Sequence, residues 1–300
     1  MCWRSAVLLG LFSAGVVISA CDDSGSTDSG TPDTGTPTEA GSDQATPQEA
    51  GLDQAAQEAG PDQATPDGGS ASNITCPSPA PNMLELCVSF DNSSGTTVYD
   101  ESGHNRNGTL TGSVTLVTGG KHGKAVSLPG GLLQGVDFGN ILDGKLALTI
   151  ELWAKSTGVL KGWDTLVSNY SEATSSGYWL GGSPLPGGLE WDVGTLTLET
   201  LKVYPLAVNW KHIAVTYNTV TATMKIYVNG KLSTQMGMGL LTTPPVSLAK
   251  LIVGRGGVSG TFPFKGQIDE LKIWSTARTQ KQICEDAGGT HNPPLGCTLP

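Results

Sequence analysis

From Met83 onward, apolar and polar residues alternate with a period of two, the spacing that sends successive side chains to opposite faces of a strand. In LELCVSF (84–90), Leu84, Leu86, Val88 and Phe90 form one face, and Glu85, Cys87 and Ser89 the other. The alternation returns in LTIELWAK (148–155), WKHIAVTYN (210–218), TMKIYVNGKLS (223–233) and QIDELKIW (267–274). Asn229-Gly230 stands between two such runs, and both residues accept the positive φ that a type I′ turn needs, so a hairpin is predicted there. Gly- and Ser-rich stretches punctuate the other strands. One helix is predicted, TQKQICEDA (279–287), closed by Gly288-Gly289. About a dozen short strands and one late helix predict an all-β chain folded as a two-sheet antiparallel sandwich or jelly roll.

Upstream of the alternation the chain changes character. Residues 1–20 carry one cation, Arg4, and an apolar run from Ala6 to Ala20. That run is short for a membrane span and fits a secretory signal. Its end, Ile18-Ser19-Ala20-Cys21, resembles the bacterial lipobox, which implies acylation of Cys21 and a protein held at the cell envelope with its domain outside the cytoplasm. Residues 21–73 follow with eleven Asp and Glu, no Lys or Arg and no aromatic. Such a composition cannot bury enough apolar surface to offset chain entropy, and a disordered tether is predicted. A degenerate repeat (EAGSDQATPQ, EAGLDQAAQ, EAGPDQATPD) is too short and polar for a solenoid. The domain from residue 74 to 300 has sixteen acids and sixteen bases, so the chain's net charge of −10 belongs to the tether. No basic stripe stands out, which argues against nucleic acid as a partner.

The strand motifs, together with DESGHNRNGTLTG (100–112), GKHGKAVSL (120–128) and FKGQIDELKIWSTART (264–279), come in the order found in a laminin-G-like, concanavalin A-like jelly-roll domain, which residues 83–288 resemble. The resemblance implies two packed antiparallel sheets, one of them often ligand-binding. It also implies that Trp153 and Trp274, in the strand motifs, are core residues and that His212 is a packed strand residue. Cys76, Cys87, Cys284 and Cys297 remain after the signal and the lipid site, an even number in an oxidising compartment, which reads as two disulfides. The gaps lack the C-x2–4-C spacing of zinc sites. Three pairings exist. The resemblance, in which the first and last strands pair, favours Cys87–Cys284 with Cys76–Cys297 outside it.

Candidate chemistry is sparse. GLEWDVG (188–194) places Glu190 and Asp192 on one face of a strand, as in the E-x-D-x-E strand of lectin-fold glucanases, but the third position is Gly194. Without that acid the segment reads as a solvent-facing strand edge with Trp191 turned to the core, and no catalytic residue is assigned. In QIDELKIW, Asp269 and Glu270 are adjacent and should face opposite ways. The family resemblance further implies a structural calcium, for which Asp91, Asp100, Asn107 and Asp269 are the candidate ligands; the alternative makes Asp91 and Asp100 turn residues bonded to their own backbone. Sugar binding needs exposed aromatics, and Trp163, Tyr170, Tyr178, Trp179 and Trp191 are the candidates. The expected function is a lipid-anchored binding module for carbohydrate or for an envelope or extracellular protein. The alternatives are a hydrolase or lyase of the same fold and a purely structural or adhesive envelope protein.

Overall fold

The computed structural model describes residues 76–77, 81–141, 144–185, 187–202, 204, 206–207, 209–239, 246–256 and 262–300. The signal segment 1–20, the acylation candidate Cys21 and the tether to residue 73 lie outside the described residues. In chain order the strands are β1 (Leu84–Val88), β2 (Thr97–Val98), β3 (Gly108–Thr111), β4 (Thr115–Thr118), β5 (Lys124–Pro129) and β6 (Gly135–Asp137). Next come β7 (Ala147–Ser156), β8 (Thr165–Ser168), β9 (Tyr178–Gly182), β10 (Leu189–Val193), β11 (Leu196–Glu199) and β12 (Lys211–Asn218). The chain continues with β13 (Thr223–Val228), β14 (Lys231–Gly237), β15 (Ile252–Val253) and β16 (Lys265–Trp274). Helix α1 (Gln280–Asp286) and a small hairpin, β17 (Thr290–Asn292) with β18 (Gly296–Thr298), complete it.

The strands form two antiparallel sheets. The first runs β14-β13-β12-β7-β16-β5-β4, with β1 also pairing β16; the second runs β11-β10-β9-β8-β15-β6-β3-β2. Their inner faces meet in one core that includes Leu86, Val88, Phe90, Ile150, Leu152, Leu180, Trp191, Ile213, Val215, Ile226, Ile268, Leu271 and Ile273. Each large apolar side chain buried there contributes roughly 1.5–3 kcal/mol. Tyr178 and Tyr217 also lie in this core, and their hydroxyls bond to each other at 2.9 Å, because a buried phenol without a partner would be costly. Asn229 (φ 52°) and Gly230 (φ 71°) are both left-handed, as the predicted hairpin between β13 and β14 requires. Thr279 caps α1, with its side chain and that of Gln282 closing a capping box.

Register shifts interrupt four strand pairs, and two of them redirect side chains away from the faces that the alternation gives them. One falls between Leu84 and Leu86, so Leu84 packs with Cys87, Trp274 and Cys76 outside the inter-sheet core, not with Leu86 and Val88. The other falls in β16 between Asp269 and Lys272, where Glu270 adopts φ 51°. Ile268 and Leu271 are core residues, so the bulge leaves both intervening acids outside the core rather than on opposite faces. Trp153 and Trp274 are buried, but on the outer face of the first sheet. There Trp153 meets the edge of His212 at 5.4 Å between centroids, and Trp274 Nε1 donates to Glu151 Oε1 at 2.6 Å.

The disulfides are local: Cys76–Cys87 and Cys284–Cys297. This corrects the expected Cys87–Cys284 and Cys76–Cys297 pairing. Strand β1 does pair β16, but α1 sits further along the sheet, with Ile283 packed on Ala214 of β12 and Tyr227 of β13. From β1 across β16 and β7 to β12 is three strand spacings, roughly 14 Å, whereas bridged cysteines have Cα atoms within about 7 Å. Cys297 on β18 folds back against Cys284 instead. Loops this short yield about 3 kcal/mol each in the chain-entropy account, less than a bridge between the chain's two ends would.

Candidate functional site

The outer face of the second sheet carries the polar residues of β9, β10 and β11. On β10, Leu189, Trp191 and Val193 enter the core, which turns Glu190 and Asp192 outward. Register then adds neighbours from both sides. Asp192 lies opposite Trp179 of β9, and Glu190 lies opposite Gly181 of β9 and Glu199 of β11. The third carboxylate that the strand motif lacks therefore comes from the next strand. Strand β10 is not an edge, and Glu190 and Asp192 are only 5% and 9% exposed, so the expected solvent-facing edge is corrected. Glu199 could have been found from the sequence, because the two-residue turn Gly194-Thr195 pairs Val193 with Leu196 and fixes every pair above it.

Burial first, then the charges of Asp192 and Glu199, raise the Glu190 carboxyl to about 8. At neutral pH Glu190 is a protonated acid that can donate a hydrogen bond.

One end of this face is aromatic. Trp163 and Phe262 are 48% and 41% exposed and tilt against each other with centroids 5.2 Å apart. Both backbones are left-handed, at φ 70° and 62°, a conformation that bulky residues rarely adopt. Thr165 ties the pair to the sheet: its hydroxyl donates to Trp163 O at 3.0 Å and accepts from Trp179 Nε1 at 2.9 Å. Of the five aromatics expected to meet a ligand, Tyr178 and Trp191 are core residues stacked on each other at 6.1 Å, which corrects their assignment. Period two decides this, since Tyr178 and Trp191 share parity with core neighbours and Trp179 does not. Tyr170 is half-buried beside Asn169, outside the strand face. Trp179 forms the floor and Trp163 the exposed end.

The four candidate calcium ligands separate into two pairs. Asp100 Oδ1 accepts from the amides of Cys87 (3.2 Å) and Ser102 (2.9 Å), Oδ2 accepts from Arg106 N (2.9 Å), and Asn107 Oδ1 accepts from Asp100 N (2.9 Å). Through these bonds Asp100 and Asn107 pin the 100–107 loop. Asp91 and Asp269 lie elsewhere, at the 119–124 turn, where Asp91 Oδ1 accepts from Lys124 N and Asp269 Oδ2 from His122 N. Glu270 joins them. It is 4% exposed, and neither of its carboxylate oxygens has a hydrogen-bond partner. Burial, with the charges of Asp269, Asp91 and Glu101 adding to it and Lys272 opposing, raises Glu270 to about 8; burial and Asp91 raise Asp269 to about 7. Glycine makes room at this turn, since a Cβ at Gly120 would lie 2.6 Å from Asp269 Oδ2. Among the described residues no three acidic, His or Cys side chains form a ready metal-ligand group. Both Asp269 oxygens accept backbone amides, from His122 and Glu270, which leaves Glu270 as the acid of this turn with both oxygens open to a cation. The unpartnered Glu270 fits the part of a calcium ligand.

The profile of the Concanavalin A-like lectin/glucanases superfamily matches residues 125–284, more than half of the chain. Among curated proteins, mouse pappalysin-1 is 31% identical over 101 residues, which are 32% of this chain and 6% of that protein's length. Among solved structures, domain 4 of AbnA, a GH43 extracellular arabinanase from Geobacillus stearothermophilus in complex with arabinotriose, is 24% identical. It aligns with 68% of this chain and 98% of its own at a TM-score of 0.53. The ligand binding domain of botulinum neurotoxin serotype D, in complex with N-acetylneuraminic acid, is 16% identical, covering 69% of this chain and 50% of that one at 0.52. At these identities the solved structures share the fold.

Proposed function

The chain belongs to the concanavalin A-like lectin/glucanase superfamily, and from that premise we propose that it is a lipid-anchored cell-envelope module that binds carbohydrate through the outer face of its second sheet. The observation that carries this reading is the exposed Trp163–Phe262 pair, tied by Thr165 to Trp179. Two rings held open to solvent on strained backbone suit the apolar face of a sugar. The protonated Glu190 with Asp192 and Glu199 supplies donors and acceptors for hydroxyls. Relatives in fold that were solved with arabinotriose and with N-acetylneuraminic acid support a saccharide as the ligand class. The module binds rather than turns over its ligand in this reading, because Glu190 and Asp192 are buried on the sheet, at 5% and 9% exposure, instead of standing open to either side of a bond. One calcium ion at Glu270, beside Asp91 and Asp269, belongs to the same reading, as a structural ion.

The test is a panel of neutral and sialylated oligosaccharides, including arabinans, titrated against wild type and Trp163→Ala. The loss of one aromatic contact of about 0.5–1.5 kcal/mol should weaken binding up to about tenfold, with an unchanged melting temperature. Binding that ignores Trp163→Ala would move the site elsewhere. Turnover that disappears in Glu190→Gln would make the protein an enzyme.

A further inference from the structure

Two adjoining depressions lie away from the face just described. The larger encloses about 600 Å³ and is lined by Lys202, Tyr204, Lys211, Asn229, Lys231 and Ser233. The smaller, about 180 Å³, is lined by Lys121, Trp153 and Trp210 among others. Asn229 and Leu299 line both, so the two make one groove. Strand parity explains where it opens. Lys211 shares its side of β12 with the core residues Ile213 and Val215, and Val228, which also lines the groove, shares its side of β13 with Ile226. The larger depression is therefore a mouth of the inter-sheet space, where β11 of the second sheet meets β14 of the first.

A mouth of a hydrophobic core would be expected to be apolar. This one has three lysines (202, 211 and 231), the adjoining depression adds Lys121, and neither is lined by Asp or Glu. Residues 74–300 carry equal numbers of acids and bases, so the concentration is local. Elsewhere some cations are matched, as Lys145 to Glu85 at 2.7 Å and Lys250 to Asp137 at 2.8 Å, and others such as Lys155, Lys225 and Lys265 have no ion pair among the described residues but do not line this groove. None of the four groove lysines has an ion-pair partner among the described residues. The remaining lining is suited to sugars. Tyr204 and Ser233 hydroxyls lie 2.5 Å apart, Trp210 is half-exposed, and Lys121 Nζ stands 4.4 Å over the Trp153 ring.

We propose that this groove binds an anionic polysaccharide, its lysines taking uronate carboxylates or sulfates and Trp210, Tyr204, Asn229 and Ser233 taking rings and hydroxyls. Unmatched cations in a concave groove hold a chain that can enter it, whereas a flat lipid surface would reach only the rim. The site is separate from the Trp163 face and does not depend on it.

The experiment titrates the full chain with an oligogalacturonate, a sulfated oligosaccharide, a neutral arabinan oligosaccharide and a single-stranded oligonucleotide. Lys202 and Lys231 are exposed, so the double variant Lys202→Gln/Lys231→Gln should keep the wild-type melting temperature. It should bind the better anionic saccharide about tenfold more weakly. Lys265→Gln, the removal of one charge at an exposed site outside the groove, should leave that affinity within about twofold of wild type. Raising the salt should weaken the anionic ligand and not the neutral one. The proposal is overturned if neither anionic saccharide binds, if Lys265→Gln weakens binding as much as the double variant, or if the oligonucleotide binds more tightly than both saccharides.

Discussion

Glu190 and Glu199 face each other across β10 and β11, and that pairing decides how the acids of the second sheet behave. In an unfolded chain a glutamate titrates near 4.3; in the fold Glu190 keeps its proton until about 8. Between those values the native state holds a proton that the unfolded chain has lost. Stability attributable to this group is therefore present at low pH, falls as pH rises through that window, and is fully lost above the folded value. Glu190→Gln removes the titration. Its melting temperature, compared with wild type, should show little difference at about pH 4.5 and a gain of several degrees at about pH 8.5. Parallel curves for the two proteins would mean that Glu190 is ionised throughout. The pair also marks a limit of reading a single strand. Period two put Glu190 and Asp192 together, but the third acid sits on the next strand and becomes visible only by counting outward from Gly194-Thr195. Tyr178 and Trp191 show the reverse error: aromatic identity drew attention to them, while parity had already assigned them to the core.

At the scale of the element, regular features were legible and irregular ones were not. Asn229-Gly230 demands positive φ at two positions, and Thr279 with Gln282 spells a helix start, so the β13–β14 hairpin and α1 followed from local chemistry. The bulges at Leu84–Leu86 and Asp269–Lys272 have no such signature, because an extra residue in one strand shows only against its partner. The β16 bulge has the larger consequence. It puts Glu270 beside Asp269 and Asp91, where a buried carboxylate without a partner is costly. A calcium ion bound there stabilises the folded state by RT ln(1 + [Ca]/Kd), about 2.7 kcal/mol at a hundredfold excess over Kd. Calorimetry in chelator and in millimolar calcium should show that increment for wild type and not for Asp269→Asn. In chelator at about pH 8.5, Glu270→Gln should melt above wild type, since it removes a buried carboxylate that no ion offsets. Equal melting temperatures for wild type in both buffers would leave these acids without a metal.

For the whole molecule, the two-sheet antiparallel jelly roll was legible from the order of the motifs, but the disulfides were not. Their pairing depends on where α1 rests across the first sheet, and Ile283 against Ala214 and Tyr227 places it three strands from Cys87. The bridges then staple each end of the domain to itself, and the domain's stability rests on its own core. Attachment to a membrane, as proposed, is a separate matter and would rest on the N-terminal segment. Each buried acyl methylene contributes about 0.8 kcal/mol, so one chain anchors marginally and two or more anchor stably. All such chains would be carried by Cys21. Among the described residues no helix is long and apolar enough to cross a membrane, and the lysines of the groove would hold a surface only at low salt. Cys21→Ala should therefore move the protein from the membrane pellet to the soluble fraction after a high-salt wash, with its melting temperature unchanged because the core lies wholly within residues 86–273. Palmitate label that persists in Cys21→Ala would place the acylation at another residue. Unlabelled protein that still pellets after the wash would show that the domain itself holds the membrane, and would turn attention to the exposed Trp163 and Phe262 as a lipid-facing pair.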